Sequence, residues 1–295
     1  MKIELDRFIG PEQLLGLIHQ ARLEDMGPDH HDITSRQFVP PGKRAEARVC
    51  SRAAGRLCGG AMLPAIVQVY DPSLEIDRTL ADGARIDAGG CLAVLRGSLQ
   101  SILALERVAL NLLGHLSGIA TLTSHYVEAV RGSRARILDT RKTLPGLRGI
   151  QKYAVVCGGG GSHRRGLFDA VLLKDNHLAH VSPQELCETV AGAVARWRVA
   201  ENAPAFIEVE VDDLNQLQAL LGSGTDRVLL DNMTLAQLEE AVAMRNAEAP
   251  QVELEASGGV ALATAGAIAR TGVDFISVGA LTHSAPSLDV GMDVE

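Results

Sequence analysis

The chain has 295 residues and 31.2 kDa, enough for one large core or for a core and a smaller domain. Its 46% hydrophobic and 22% charged residues describe a globular protein, and a net charge of -8 argues against a general nucleic-acid binder. No apolar run reaches the roughly 18 residues of a membrane span, MKIELDRF lacks the apolar core of a secretory signal, and an odd set of five cysteines without a CxxC pair disfavours zinc or disulfide scaffolds, so a reducing cytoplasm is expected.

Residues 11–26, PEQLLGLIHQARLEDM, gather Leu14, Leu15, Ile18 and Leu23 towards one face of a helix. Pro11 suits its first turn and Gly27-Pro28 ends it. His30, His31 and Asp32 follow as either metal ligands or a polar helix cap; with no third histidine nearby, the cap is the stronger reading. From 36 to 97 the texture changes. Short apolar runs at 45–50, 66–70, 74–80 and 91–95, separated by Asp-Pro and Gly-rich turns, predict a small sheet domain. Gly59-Gly60 lacks the Lys-Ser/Thr of a phosphate-binding P-loop. Residues 99–130 return to helical periodicity, dense in apolar residues and carrying Glu106, Arg107, Asn111 and His115. If buried, Arg107 needs an anionic partner, which is either an ion pair or a ligand. His115 reads as a hydrogen-bonded structural residue.

The segment 137–177, ILDTRKTLPGLRGIQKYAVVCGGGGSHRRGLFDAVLLKDNH, organises the rest. Between Arg134 and Lys174 it holds nine Lys or Arg against two Asp, in an otherwise acidic chain. Cations gathered after strand ends suit an anionic small molecule. From residue 136 strands alternate with helices: strands at 136–139, 168–173, 206–211, 226–230, 251–255 and 274–278, and helices at 146–156, 183–198, 213–221, 234–246 and 260–270. Ser182-Pro183 and Met233-Thr234 mark two helix starts. Parallel βα units account for the rhythm, and either a barrel or an open doubly wound sheet satisfies it. In a barrel, the strand ends converge on one face: Thr140-Arg141-Lys142, Lys174-Asp175, Glu208-Val209-Glu210, Asp231-Asn232, Ser257-Gly258-Gly259 and Val278-Gly279-Ala280. Glu208 and Glu210 share one side of a strand, so one can pair with a lysine while the other meets a ligand. The two glycine turns can cradle a phosphate through backbone N–H groups.

These motifs resemble the quinolinate phosphoribosyltransferase family. The resemblance rests on Glu106-Arg107-Val108-Ala109-Leu110-Asn111, TRKTLPGLR from Thr140, GGGGSHRRGLFDAVLLKDNH from Gly158, EVEVDDLNQL from Glu208, LLDNM from Leu229 and LEASGGV from Leu254, in that order. It implies an α/β protein. An N-terminal helix and connection (1–30) leads to an open-sheet α+β domain (31–118) ending in the long helix. A distorted TIM-like barrel, which can be incomplete, occupies 119–295. The implied reaction joins quinolinate to 5-phosphoribosyl 1-pyrophosphate and releases pyrophosphate and carbon dioxide, giving nicotinate mononucleotide for NAD biosynthesis.

By the same resemblance, Thr140, Arg141, Lys142, His163, Arg164 and Lys174 bind substrate, and Arg107 reaches the site of a neighbouring subunit in a homodimer or larger assembly. Lys142, Glu210 and Asp231 are the catalytic candidates. Glu210 and Asp231 face ribose hydroxyls and Mg2+, directly or through water or substrate, while Ser257, Gly258, Gly259, Val278, Gly279 and Ala280 hold the 5-phosphate. No covalent nucleophile is required, and Cys157 reads as packing. Two departures stand out: Ser162 precedes His163 where the family commonly has Asn, and GPDHHDITS replaces a shorter Gly-Asp segment. A phosphoribosyltransferase-like protein of molybdate-gene systems and a non-enzymatic nucleotide-binding oligomer are the alternatives; the retained cations favour a dicarboxylate site over both.

Overall fold

A computed structural model describes residues 4–182 and 184–295. The chain forms two compact units, interleaved in sequence: residues up to 124 with 144–159 and 281–295, and residues 125–143 with 160–280.

In the first unit, β1 (Arg44–Ser51), β2 (Gly55–Arg56), β3 (Glu75–Arg78), β4 (Arg85–Ile86) and β5 (Cys91–Ser98) supply an antiparallel sheet and a small β2–β4 ladder. The N-terminal helix runs Pro11–Met26 as expected, with Leu14 and Ile18 buried. Asp32 caps the next helix, accepting from the N–H groups of Thr34 and Ser35, so the polar cap is the reading realised there. The run 66–70 is not a strand. It lies in the helix Leu63–Tyr70, where Pro64 occupies the first turn and Leu63, Ile66, Val67 and Val69 are buried. A short apolar run fits either element, and the i, i+3, i+4 burial decides for the helix.

The long helix Leu99–Ala129 is apolar enough to cross a membrane by length and composition alone, but most of its apolar stretch is buried inside the protein, as in a core helix. The helix Arg148–Cys157 also packs in this unit. Gln151 Nε2 lies 2.9 Å from His115 Nε2 and 3.1 Å from the Thr282 carbonyl, and Tyr153 donates to Asp82 at 2.8 Å.

The second unit contains β6 (Arg136–Leu138), β7 (Val171–Leu173), β8 (Ile207–Val211), β9 (Arg227–Asp231), β10 (Glu253–Ser257) and β11 (Phe275–Ser277). All pairs are parallel, in the order β6-β11-β10-β9-β8-β7. That order is circular, with one break between the first and second strands. It describes an incomplete barrel and excludes the doubly wound sheet, whose order would reverse. At the break, Gly161 bridges to Leu138, donating to the Ile137 carbonyl at 2.8 Å and accepting from Asp139 N–H. The helices between strands include Leu186–Arg198, Leu214–Leu220, Leu235–Glu248 and Leu262–Arg270. Thr234 caps Leu235–Glu248 with Gln237 in a reciprocal box. The expected start at Ser182-Pro183 falls partly on Pro183, outside the described residues. A last strand, β12 (Val290–Val294), has no counterpart in the sequence reading; it returns to pair antiparallel with β1 in the first unit.

Candidate active site

Every strand of the barrel ends at one cavity of about 540 Å³. Asp139, Thr140, Arg141 and Lys142 follow β6, Lys174 follows β7, and Glu210, Asp231, Ser257 and Ser277 sit on the last turns of β8 to β11. This is the carboxyl-end face, where barrels place their chemistry. His163, Arg164, Gly258 and Gly259 also line it, so most of the residues singled out from sequence meet here.

Charge is divided by depth. At the rim, Lys174 pairs with Glu210. The lysine-bound acid is therefore the cavity acid, while Glu208, two residues earlier on the same side, lies deeper and fully buried. Arg164 is held below the usual guanidinium range, first by burial and then by the neighbouring Arg141. Among the described residues Arg141 Nε is buried with no hydrogen-bond partner. Both guanidiniums line the cavity, and an unsatisfied donor beside a second cation is chemically suited to an anion with more than one acceptor oxygen.

Below the rim, Glu208 Oε2 lies 2.8 Å and Glu255 Oε2 3.5 Å from His163 Nε2. Arg227 reaches Glu255 and Glu253, each at 3.1 Å, with Phe206 and Phe275 against its guanidinium plane. Desolvation lifts Glu208 to about 7 despite Arg227 and Arg164, and it lifts Glu255 to about 7 with added repulsion from Glu208. His163, Glu208 and Glu255 lie close enough to hold a metal ion, but the adjacent Arg227 already supplies the cation.

Asp231 Oδ2 accepts from Asn232 Nδ2 at 2.7 Å. Asn232 has φ of 53°, an uncommon region for a residue with a side chain, and its N–H is held by the Ser257 carbonyl at 2.9 Å. A Cβ on Gly258 would stand 2.2 Å from Asn232 Oδ1, so only glycine allows these two strand ends to meet. The other expected phosphate turn is different. Val278 is 1% exposed and its N–H donates to the Leu138 carbonyl, and Val278, Gly279 and Ala280 are not among the residues lining this cavity. Arg107 is likewise absent from this lining. It stands exposed on the long helix, 3.9 Å from Glu106, beside a hollow formed with Leu110, Asn111, Gly114 and 287–290.

Sequence reading missed Glu255, Asp139 and Arg227 as members of the site, and placed Asn232 at a strand end without giving it a role. Asp139 follows a strand directly and Glu255 lies inside a strand next to the glycine turn, which are the signals that point to them.

Fold and cavity together define an α/β-barrel enzyme that handles a multiply charged small anion at its strand ends. The Quinolinate phosphoribosyl transferase N-terminal domain model matches residues 32–117, and the C-terminal domain model matches 119–293. A nicotinate-nucleotide pyrophosphorylase [carboxylating] of Mycobacterium leprae is 45% identical over 269 residues, 89% of this chain and 91% of its own. A quinolinate phosphoribosyltransferase [decarboxylating] 1b of Nicotiana tabacum is 36% identical, covering 96% of this chain and 82% of its own. The solved nicotinate-nucleotide pyrophosphorylase of Francisella tularensis superimposes with a TM-score of 0.88 at 33% identity, over 100% of this chain and 99% of that one. The chain belongs to the quinolinate phosphoribosyltransferase family, and it is an enzyme of that pentosyltransferase class.

The buried acids make stability depend on pH. Their folded values near 7 exceed the ordinary 4.5, so the folded state keeps a proton that the unfolded chain has lost. Stability is therefore greatest below about pH 4.5 for this pair and falls as pH rises towards 7. Glu208→Gln carries a permanently neutral group and should flatten that fall, as read from denaturation midpoints between pH 5 and 8; an unchanged slope would show that Glu208 is ionised throughout.

Proposed function

We propose that the protein transfers the phosphoribosyl group of 5-phosphoribosyl 1-pyrophosphate to the ring nitrogen of quinolinate, releasing pyrophosphate and carbon dioxide and leaving nicotinate mononucleotide. The observation that carries this reading is the Arg141–Arg164 pair: mutually repelling guanidiniums, one with an unsatisfied buried Nε, facing a cavity bordered by an acid and a glycine turn. Two adjacent ring carboxylates supply the negative charge that this pair lacks, and guanidinium forks bind carboxylates bidentately.

With the ring so held, its nitrogen displaces pyrophosphate at C1 of the ribose, and the sugar becomes cationic as the C–O bond breaks. Asp231 and the Lys174-held Glu210 face the cavity as the acids that stabilise this charge and accept from ribose hydroxyls. Lys142 lies at the mouth, exposed, where it meets the ring carboxylates or the departing pyrophosphate. The turn Ser257–Gly259 opens towards the helix Leu262–Arg270 and suits the 5-phosphate. Alkylation then leaves the ring electron-poor. The adjacent carboxylate departs as carbon dioxide, its bonding pair stays on the ring carbon, and a proton replaces it.

Mg2+ fits this donor set in a limited way. Asp231 offers the cavity a second carboxylate oxygen, Oδ1, beside the one held by Asn232, whereas Glu210 is already neutralised by Lys174. A carboxylate oxygen left open in this way suits an ion held mainly by substrate oxygens and water, which would neutralise the departing pyrophosphate. We assign Arg107 to the cavity of a second copy in a homodimer or larger assembly. Its exposed side chain on a mostly apolar helix, held among the described residues only by a 3.9 Å contact with the adjacent Glu106, supports this role. Among the described residues the five cysteines are unpaired, which fits work in a reducing cytoplasm.

Purified protein supplied with both substrates and Mg2+ should form nicotinate mononucleotide and carbon dioxide, read by mass spectrometry; absence of both products across varied metal and pH contradicts the assignment. Arg107→Ala and Arg164→Ala should each lose quinolinate turnover. Mixed under subunit exchange, the two variants should regain part of it, because one site of a mixed dimer receives both arginines. Confirmed mixed assemblies without recovery would place Arg107 outside the neighbouring site.

A further inference from the structure

The resemblance assigns His163 to substrate, yet both its ring nitrogens are engaged within the protein. Nδ1 faces the backbone N–H of Arg164 at 2.7 Å, and Nε2 faces Glu208 Oε2 at 2.8 Å. A backbone N–H can only donate, so Nδ1 must carry the lone pair and Nε2 the proton. The ring is thus the neutral Nε2–H tautomer, aimed at the barrel interior. The backbone N–H of His163 donates to Asp139 Oδ1 at 2.9 Å, and Phe206 meets the ring edge-on with centroids 5.3 Å apart. Rotation of the imidazole would break both ring hydrogen bonds.

The carboxyl end of this chain of contacts is equally fixed. Glu208 and Glu255 are both fully buried beside His163 Nε2, and Arg227 holds Glu255 from the far side. At the other end, Arg164 points into the cavity beside Arg141, an arrangement that charge repulsion opposes when no anion is bound. Something must hold the Arg164 backbone in place against that repulsion, and His163 Nδ1 is the group in contact with it.

We propose that Glu208 is a positioning residue: it fixes the His163 ring, and the ring fixes the Arg164 backbone, so that the anion-binding guanidinium is in place before substrate arrives. This rests on the reading of Arg164 as a carboxylate receptor. Preorganising the receptor lowers the cost of binding quinolinate and leaves the sugar-phosphate side untouched. The acid acts through its oxygen acceptor, so an amide can replace it and an alkyl group cannot.

The test compares Glu208→Gln and Glu208→Leu with the unaltered enzyme. Glu208→Leu should raise KM for quinolinate about tenfold, the loss expected for one buried hydrogen bond to an acid, with KM for 5-phosphoribosyl 1-pyrophosphate unchanged. Glu208→Gln should stay within about threefold of the unaltered enzyme for both substrates. Nitrogen-15 spectra of the unaltered protein should show a bare Nδ1 and a protonated Nε2 on His163, a readout that needs neither a variant nor a substrate. A protonated Nδ1, an unchanged quinolinate KM in a folded leucine variant, or an equal loss for both substrates overturns the proposal. If the unaltered protein does not use quinolinate at all, the substrate reading fails, and the tautomer still decides whether the contact chain exists.

Discussion

The repulsion between Arg141 and Arg164 is the constraint on which the site depends. Both arginines line the cavity, and the burial of Arg164 leaves its interaction with Arg141 less screened than in water. The chain answers it by rigidity. Arg141 follows β6 directly, and Arg164 is tied through His163 to Asp139 after β6 and to Glu208 on β8. The remaining charge is left for an anion to supply. Such a site binds by removing an existing strain, which favours small, rigid, doubly charged ligands over flexible ones.

The barrel serves this by separating charges in layers. Deep in the interior, Glu208, Glu255 and Arg227 form a closed cluster walled by Phe206 and Phe275. One turn higher, Glu210 and Lys174 neutralise each other at the rim. Strand periodicity alone builds this ladder: alternate residues of β8 face the same side, so Glu208 and Glu210 differ in depth and not in direction. Depth then decides chemistry, since the buried acid is pushed towards neutrality while the rim acid keeps a lysine.

Much of this was legible in the sequence, and the limits have physical causes. The barrel strands and the long helix follow from their periodicity, and the cavity follows from cations placed after strand ends. Periodicity is silent about depth, which is why Glu208 and Glu210 could not be told apart, and why Glu255 and Arg227 passed as strand residues. The run 66–70 was read as a strand because five apolar residues carry too little period to choose. The Val278 N–H, part of the expected phosphate turn, goes to Leu138, a pairing between residues 140 apart in sequence that no local pattern shows. The return of β12 to β1 spans more than the whole barrel, and no local pattern announces it.

The account stands or falls on whether the guanidinium pair selects two adjacent carboxylates. Calorimetric binding of benzene-1,2-dicarboxylate, which keeps that charge pattern and lacks the reacting nitrogen, measures this without turnover. The account predicts affinity at least about tenfold above that of benzoate, weakening as salt is raised. Equal affinity for the two acids would contradict it.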